Sequence, residues 1–145
     1  MSLSYPQLLT QLAENIGLDS ASLLAQQEIR LGELSIFMQQ GGTQEAPDVV
    51  LCSVLGTPPA QRFAEVLRML MQANHLWAGT GGGTLGLSPA GDAVTWCVRW
   101  PMRDLDGATL AAVIAGFAEL GQAWGQYLVA NTDEMALARH SDFRA

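Results

Sequence analysis

The run Val49 to Leu55 constrains the fold of this 145-residue chain more than any other stretch. At strand period, Val49, Leu51, Ser53 and Leu55 share one face, and Val50, Cys52 and Val54 share the other. Apolar side chains on both faces predict a central strand covered on both sides, so the chain must supply strands beside it and layers over it. The flanking sequence offers the strands. Glu28 to Leu31 and Leu34 to Gln39 are short runs separated by turn formers, and Gly41, Gly42 and Pro47 lead into the central run. Downstream, Val94, Trp96, Val98 and Trp100 alternate with Thr95, Cys97 and Arg99, as in a half-buried strand, and Pro89-Ala90-Gly91-Asp92 turns the chain into it from Thr84 to Leu87.

Three helices supply the layers. Ser4 before Pro6, then Leu8, Leu9, Leu12 and Ile16, predict a first helix over about 5–16 that stops at Gly17. Pro58 and Pro59 open a second, reaching about His75. Phe63, Val66, Leu67, Met69, Leu70, Met71 and Trp77, with Asn74 among them, cover roughly 220° of the circumference, where ~100° suffices for one core contact. Such a helix must be buried on two sides, by its own sheet and most simply by a second subunit. A third helix starts at Asp104 or Asp106 and runs to about Ala130. Glu119 is the single charge in 107–132, which raises the possibility of a membrane span. Helical phase rejects it, because Leu110, Val113, Ile114, Phe117, Leu120, Trp124 and Leu128 oppose Glu119, Gln122 and Gln126. Helix, strands, helix, hairpin and helix make one α+β domain over 1–145, with a core of about 5–130 and a polar tail, 131–145.

Composition narrows the chemistry. There is no lysine, which excludes the phosphate-loop NTPases, protein kinases, pyridoxal-phosphate enzymes and Ser/Lys hydrolases that need an ammonium group. A net charge of −7 argues against nucleic acid and anionic membranes as partners. The start, MSLSYPQLL, lacks the basic and continuous apolar regions of a signal peptide, so a cytoplasmic protein is expected.

Each catalytic lead has a simpler structural reading. Gly81, Gly83 and Gly86 satisfy G-x-G-x-x-G, but they follow a helix and enter a strand, the reverse of the dinucleotide-binding order. The loop is expected to need positive φ at Gly79 and close backbone approach at the strand start. Asp104 and Asp106 read as helix caps, His75 as a helix end, and His140 as part of a solvated tail. Cys52 and Cys97 have no second pair for a metal cage or redox motif, and read as small buried hydrophobes in a reducing cytosol. Neither a catalytic site nor a metal or other cofactor is expected.

Several segments resemble the Tir chaperone family, the class I chaperones of bacterial type III secretion. They are YPQLLTQLAENIGL from Tyr5, LGTPP from Leu55, MLMQANHLWAGTGGGTLGLS from Met69, and VTWCVRWPM from Val94, followed by Leu105-Asp106. The most specific part runs from Ala73-Asn74 through Gly79-Thr80-Gly81-Gly82 to Leu85-Gly86-Leu87, while Gln26 to Gly42 fits loosely. The resemblance implies an α-β-β-β-α-β-β-α fold, an antiparallel sheet packed with helices, and a homodimer without catalytic activity. It implies a dimer interface of Phe63, Val66, Leu67, Leu70, Leu85 and Leu87. It further implies that Leu8, Leu12, Val50, Cys52 and Arg99 contact the amino-terminal region of a secreted effector, which is handed to a secretion ATPase. A dimeric adaptor of the same fold with no secretion role is the alternative.

Overall fold

Residues 3–130 are described by a computed structural model of the chain. Helices α1 (Tyr5–Ile16) and α2 (Ser20–Gln26) precede strands β1 (Glu28–Leu31), β2 (Leu34–Gly42) and β3 (Pro47–Gly56); α3 (Phe63–Asn74), β4 (Thr84–Leu87), β5 (Val94–Pro101) and α4 (Gly107–Val129) follow. The strands form one antiparallel sheet in the order β1-β2-β3-β5-β4. The expected element order holds, with α2 added. It sits where the sequence suggested only a connection, yet Asp19 caps it by accepting from the Ser22 amide at 3.0 Å. That hydrogen bond and the Ser22 hydroxyl hold the Asp19 carboxyl below its ordinary pKa.

Local signals set the other helix starts. The Ser4 hydroxyl accepts from the Gln7 amide, and the Gln7 side chain accepts from the Ser4 amide at 2.8 Å, a reciprocal cap for α1. Of the two aspartates before α4, Asp106 is the cap, accepting from the Thr109 amide at 2.8 Å. Pro58 and Pro59 lead not into α3 directly but into a 3₁₀ turn, Ala60–Arg62, so the α-helix begins at Phe63. No helix among the described residues is long and apolar enough to cross a membrane.

β3 is central, as its sequence requires, but among the described residues only one of its faces is covered. On the inner face Val49 and Leu51 are buried beside Ile36 and Met38 of β2 and Trp96 of β5, beneath α4. Trp96 is fully buried, its indole stacked on Phe117 at 5.5 Å and donating to the Phe117 carbonyl at 3.0 Å. The outer face carries Val50, Cys52 and Val54, with Phe37 opposite Cys52; Phe37 is 47% and Val54 60% exposed. The alternation reports what each face is made of, and no described element supplies a layer over the outer face.

Arg62 joins α3 to the end of α4. Buried to 7% exposure, its Nη1 donates to the carbonyls of Tyr127, Leu128 and Ala130, and its guanidinium lies 5.1 Å from the centre of the Tyr127 ring. A cation there complements the helix C-terminus and occupies carbonyls that have no intrahelical partner. Arg62→Met keeps the stem and removes the donors, and is expected to cost about 1–3 kcal/mol in urea unfolding. A loss below about 0.5 kcal/mol would show that water replaces the guanidinium freely.

Candidate functional site

The two edges of the sheet differ. At β4, the Asn74 side chain donates to the Leu85 carbonyl at 2.8 Å and accepts from the Leu85 amide at 3.0 Å. One carboxamide thus imitates a neighbouring strand at this position, and gives Asn74 of the Ala73-Asn74 motif a structural role. β1, at the opposite edge, has β2 as its only strand neighbour among the described residues.

Beside β1 lies a groove of about 740 Å³, with Leu12, Ile16 and Leu18 on one side, Leu23 of α2 and Ile29 and Leu31 of β1 on another, and Ala111 and Ile114 of α4 at its base. Ile16 is 39%, Leu18 46% and Leu31 37% exposed, so apolar surface faces solvent along its rim. Asp19, Glu28 and Arg30 supply the polar margin. An extended peptide paired with β1 would place alternate side chains toward this groove. Without α2 the groove has no outer wall, which is why the sequence, read without that helix, does not disclose it.

The residues expected to contact a partner separate into two places. Val50, Cys52 and Arg99 lie together on the outer sheet face, Val50 directly opposite Arg99 in the register. Arg99 is paired with Asp48, with Nη2 to Oδ2 at 2.6 Å, and its side chain is otherwise exposed. Leu8 and Leu12 are fully buried between α1 and the rest of the core; Leu12 underlies the groove, and Leu8 presents no surface to a partner.

The residues expected at a dimer interface also divide. Val66, Leu70 and Leu85 are at most 4% exposed and serve the chain's own core. Phe63 and Leu67 are partly buried, and Leu87 is 40% exposed. The wide apolar arc of α3 therefore has a buried half and an uncovered flank, along which Phe63, Leu67 and Met71 recur every four residues. Met71 is 73% exposed, and beyond it Leu76 and Trp77 are 77% and 59% exposed.

The backbone is strained where that flank ends. Leu76 and Trp77 have φ of 51° and 56°, a left-handed conformation costing roughly 1–2 kcal/mol per ordinary residue. The positive φ expected at Gly79 thus falls on Leu76, Trp77, Gly81 and Gly82 instead. Gly79 is required for another reason: a Cβ there would lie 2.7 Å from the Ala73 Cβ. His75, the C-cap of α3, is exposed, while His140 lies outside the described residues. Cys52 and Cys97, far apart in sequence, face each other across β3 and β5.

Residues 7–125 match the Tir chaperone protein (CesT) family. Among solved structures, a chain of the HopA1-SchA chaperone-effector complex superposes with a TM-score of 0.65 at 16% identity, covering 84% of this chain and 93% of that one. A chain of the ExsC-ExsE complex does so with a TM-score of 0.72 at 18% identity, covering 91% of this chain and all of that one. At these identities the likeness is one of fold. No protein of curated function matches the sequence.

Proposed function

The chain belongs to the Tir chaperone protein (CesT) family, and from that premise we propose that it is a cytoplasmic type III secretion chaperone acting by binding alone. It holds the amino-terminal segment of a secreted effector soluble and non-globular, and delivers it to the secretion apparatus and its ATPase. The observation that carries this reading is the apolar groove running beside the open edge of β1. A segment with few hydrophobes stays unfolded alone; strand pairing on β1 and a few apolar anchors in the groove offset the entropy of ordering it. Two of the structural neighbours come from two-protein complexes, one of them a chaperone with its effector, which supports the same reading.

Co-expression with the amino-terminal segment encoded by the adjacent gene tests it. A chaperone co-purifies with that segment and leaves its amides unprotected from hydrogen exchange except where it pairs with β1. An adaptor of the same fold with no secretion role yields no such complex.

The second part of the proposal is a homodimer through the uncovered flank of α3. Phe63, Leu67 and Met71 line the uncovered flank of α3, Leu76, Trp77 and Leu87 are exposed apolar side chains beyond it, and the strained turn holds Leu76 and Trp77 outward; burying them against a second copy supports the reading. Light scattering is expected to give about 31 kDa, against 15.5 kDa for one chain. Leu67→Asp places an unpaired charge in this contact and is expected to raise the dimer Kd at least tenfold, read by sedimentation as a concentration-dependent monomer. An undiminished dimer in that variant would place the interface elsewhere.

A further inference from the structure

We propose that Cys52 and Cys97 are a reversible disulfide site on the outer face of the sheet, oxidised by exchange with a low-molecular-weight disulfide such as oxidised glutathione. The register pairs them directly, one on each of the two central strands, and their Sγ atoms are 3.1 Å apart. Opposite residues of antiparallel strands have Cα separations of about 4.5–5.5 Å, inside the range of about 4.4–6.8 Å that a disulfide spans, so closure needs side-chain rotation and no sheet rearrangement. Both cysteines are partly exposed, on the face that no described element covers. A small reagent reaches them without opening the fold.

The two thiols have different parts. Burial, together with the hydrogen bond and the charge of Cys52, pushes the Cys97 thiol up to about 12. A thiol so rarely ionised is a poor first attacker and acts second, where proximity compensates. In the first step the Cys52 thiolate attacks one sulfur of oxidised glutathione; a Cys52–glutathione bond forms, and one glutathione leaves as thiolate and takes up the displaced proton. In the second, Cys97 gives its proton to solvent and attacks the Cys52 sulfur, forming the Cys52–Cys97 bond and expelling the second glutathione, which is protonated in turn. The two cysteines lose two electrons, and the glutathione disulfide gains them as two thiols. Excess reduced glutathione reverses both steps. A bond this open to reagent belongs with labile rather than structural disulfides.

The test is intact mass and thiol count of the reduced full-length protein after incubation with excess oxidised glutathione. Both thiols should disappear together, with the mass falling by two hydrogens, and return on reduction. Cys97→Ser should accumulate a stable glutathione adduct at Cys52, and Cys52→Ser should form its adduct more slowly, because burial alone still holds the Cys97 thiol up. Serine is close in size to cysteine, so neither variant threatens the fold. Retention of both thiols, separate adducts on both cysteines of the wild type, or disulfide-linked pairs of chains on a non-reducing gel would each overturn the proposal.

Discussion

Trp96→Ala is expected to lower the unfolding free energy by about 3–5 kcal/mol, the cost of emptying the site of the largest fully buried side chain among the described residues. The indole touches every layer at once. It stacks on Phe117 of α4 and caps that residue's carbonyl from the sheet, and the backbones of Gly83 and Gly121 approach it. At Gly83 a Cβ would lie 2.6 Å from Cζ3 of the ring and 2.9 Å from Cγ2 of Val98. Gly83→Ala is therefore also destabilising, by about 1–3 kcal/mol, because the buried Trp96 ring cannot move aside without disturbing its stacking on Phe117 of α4. Thermal melting followed by circular dichroism should show the tryptophan variant lowered by about 10–15 °C and the glycine variant by less. Equal midpoints for wild type and Gly83→Ala would mean that the glycine loop moves away from Trp96 at little cost, leaving the close approach unimportant.

That contact explains the glycine run, whose pattern resembles a dinucleotide fingerprint only in spacing. Gly79 and Gly83 are needed for close packing, and Gly81 and Gly82 for positive φ. The alternation of Val94 to Trp100 and the phase of α4 were legible because each buries one face against one neighbour, so local period and tertiary environment agree. The same rule misleads at β3. Its outer residues are as apolar as its inner ones, and periodicity cannot tell whether the covering layer comes from the same chain. The site was less legible still. Leu8 and Leu12 are apolar at helical spacing whether α1 turns them toward a partner or, as it does, toward the core. The groove depends on α2, a two-turn helix with too few residues to display a period, whose capping aspartate is its clearest local signal. The proximity of Cys52 and Cys97 follows from the order β3-β5, which places a later strand beside an earlier one and which no spacing in the sequence encodes.

The difference between the sheet edges sets where an effector segment should bind. β4 already has the Asn74 carboxamide in place of a strand at Leu85, whereas pairing on β1 lets alternate side chains enter an apolar groove. Ile16→Asp combined with Leu31→Asp is accordingly expected to weaken the complex with the effector segment by roughly 100-fold or more. Each substitution replaces an apolar contact worth about 1.5–3 kcal/mol with a charge, and two such losses correspond to at least two decades in Kd. Folding should be little changed, since both side chains are already more than a third exposed, so the melting temperature and the mass in solution serve as controls. Val50→Ser combined with Val54→Ser, on the outer face of β3, should leave the affinity within about threefold, because β2 separates both residues from the β1 edge and its groove. Titration calorimetry with the effector segment distinguishes the two surfaces. If the outer-face pair abolishes binding and the groove pair does not, the segment crosses the open face of the sheet, over the two cysteines, and β1 is an edge without a partner.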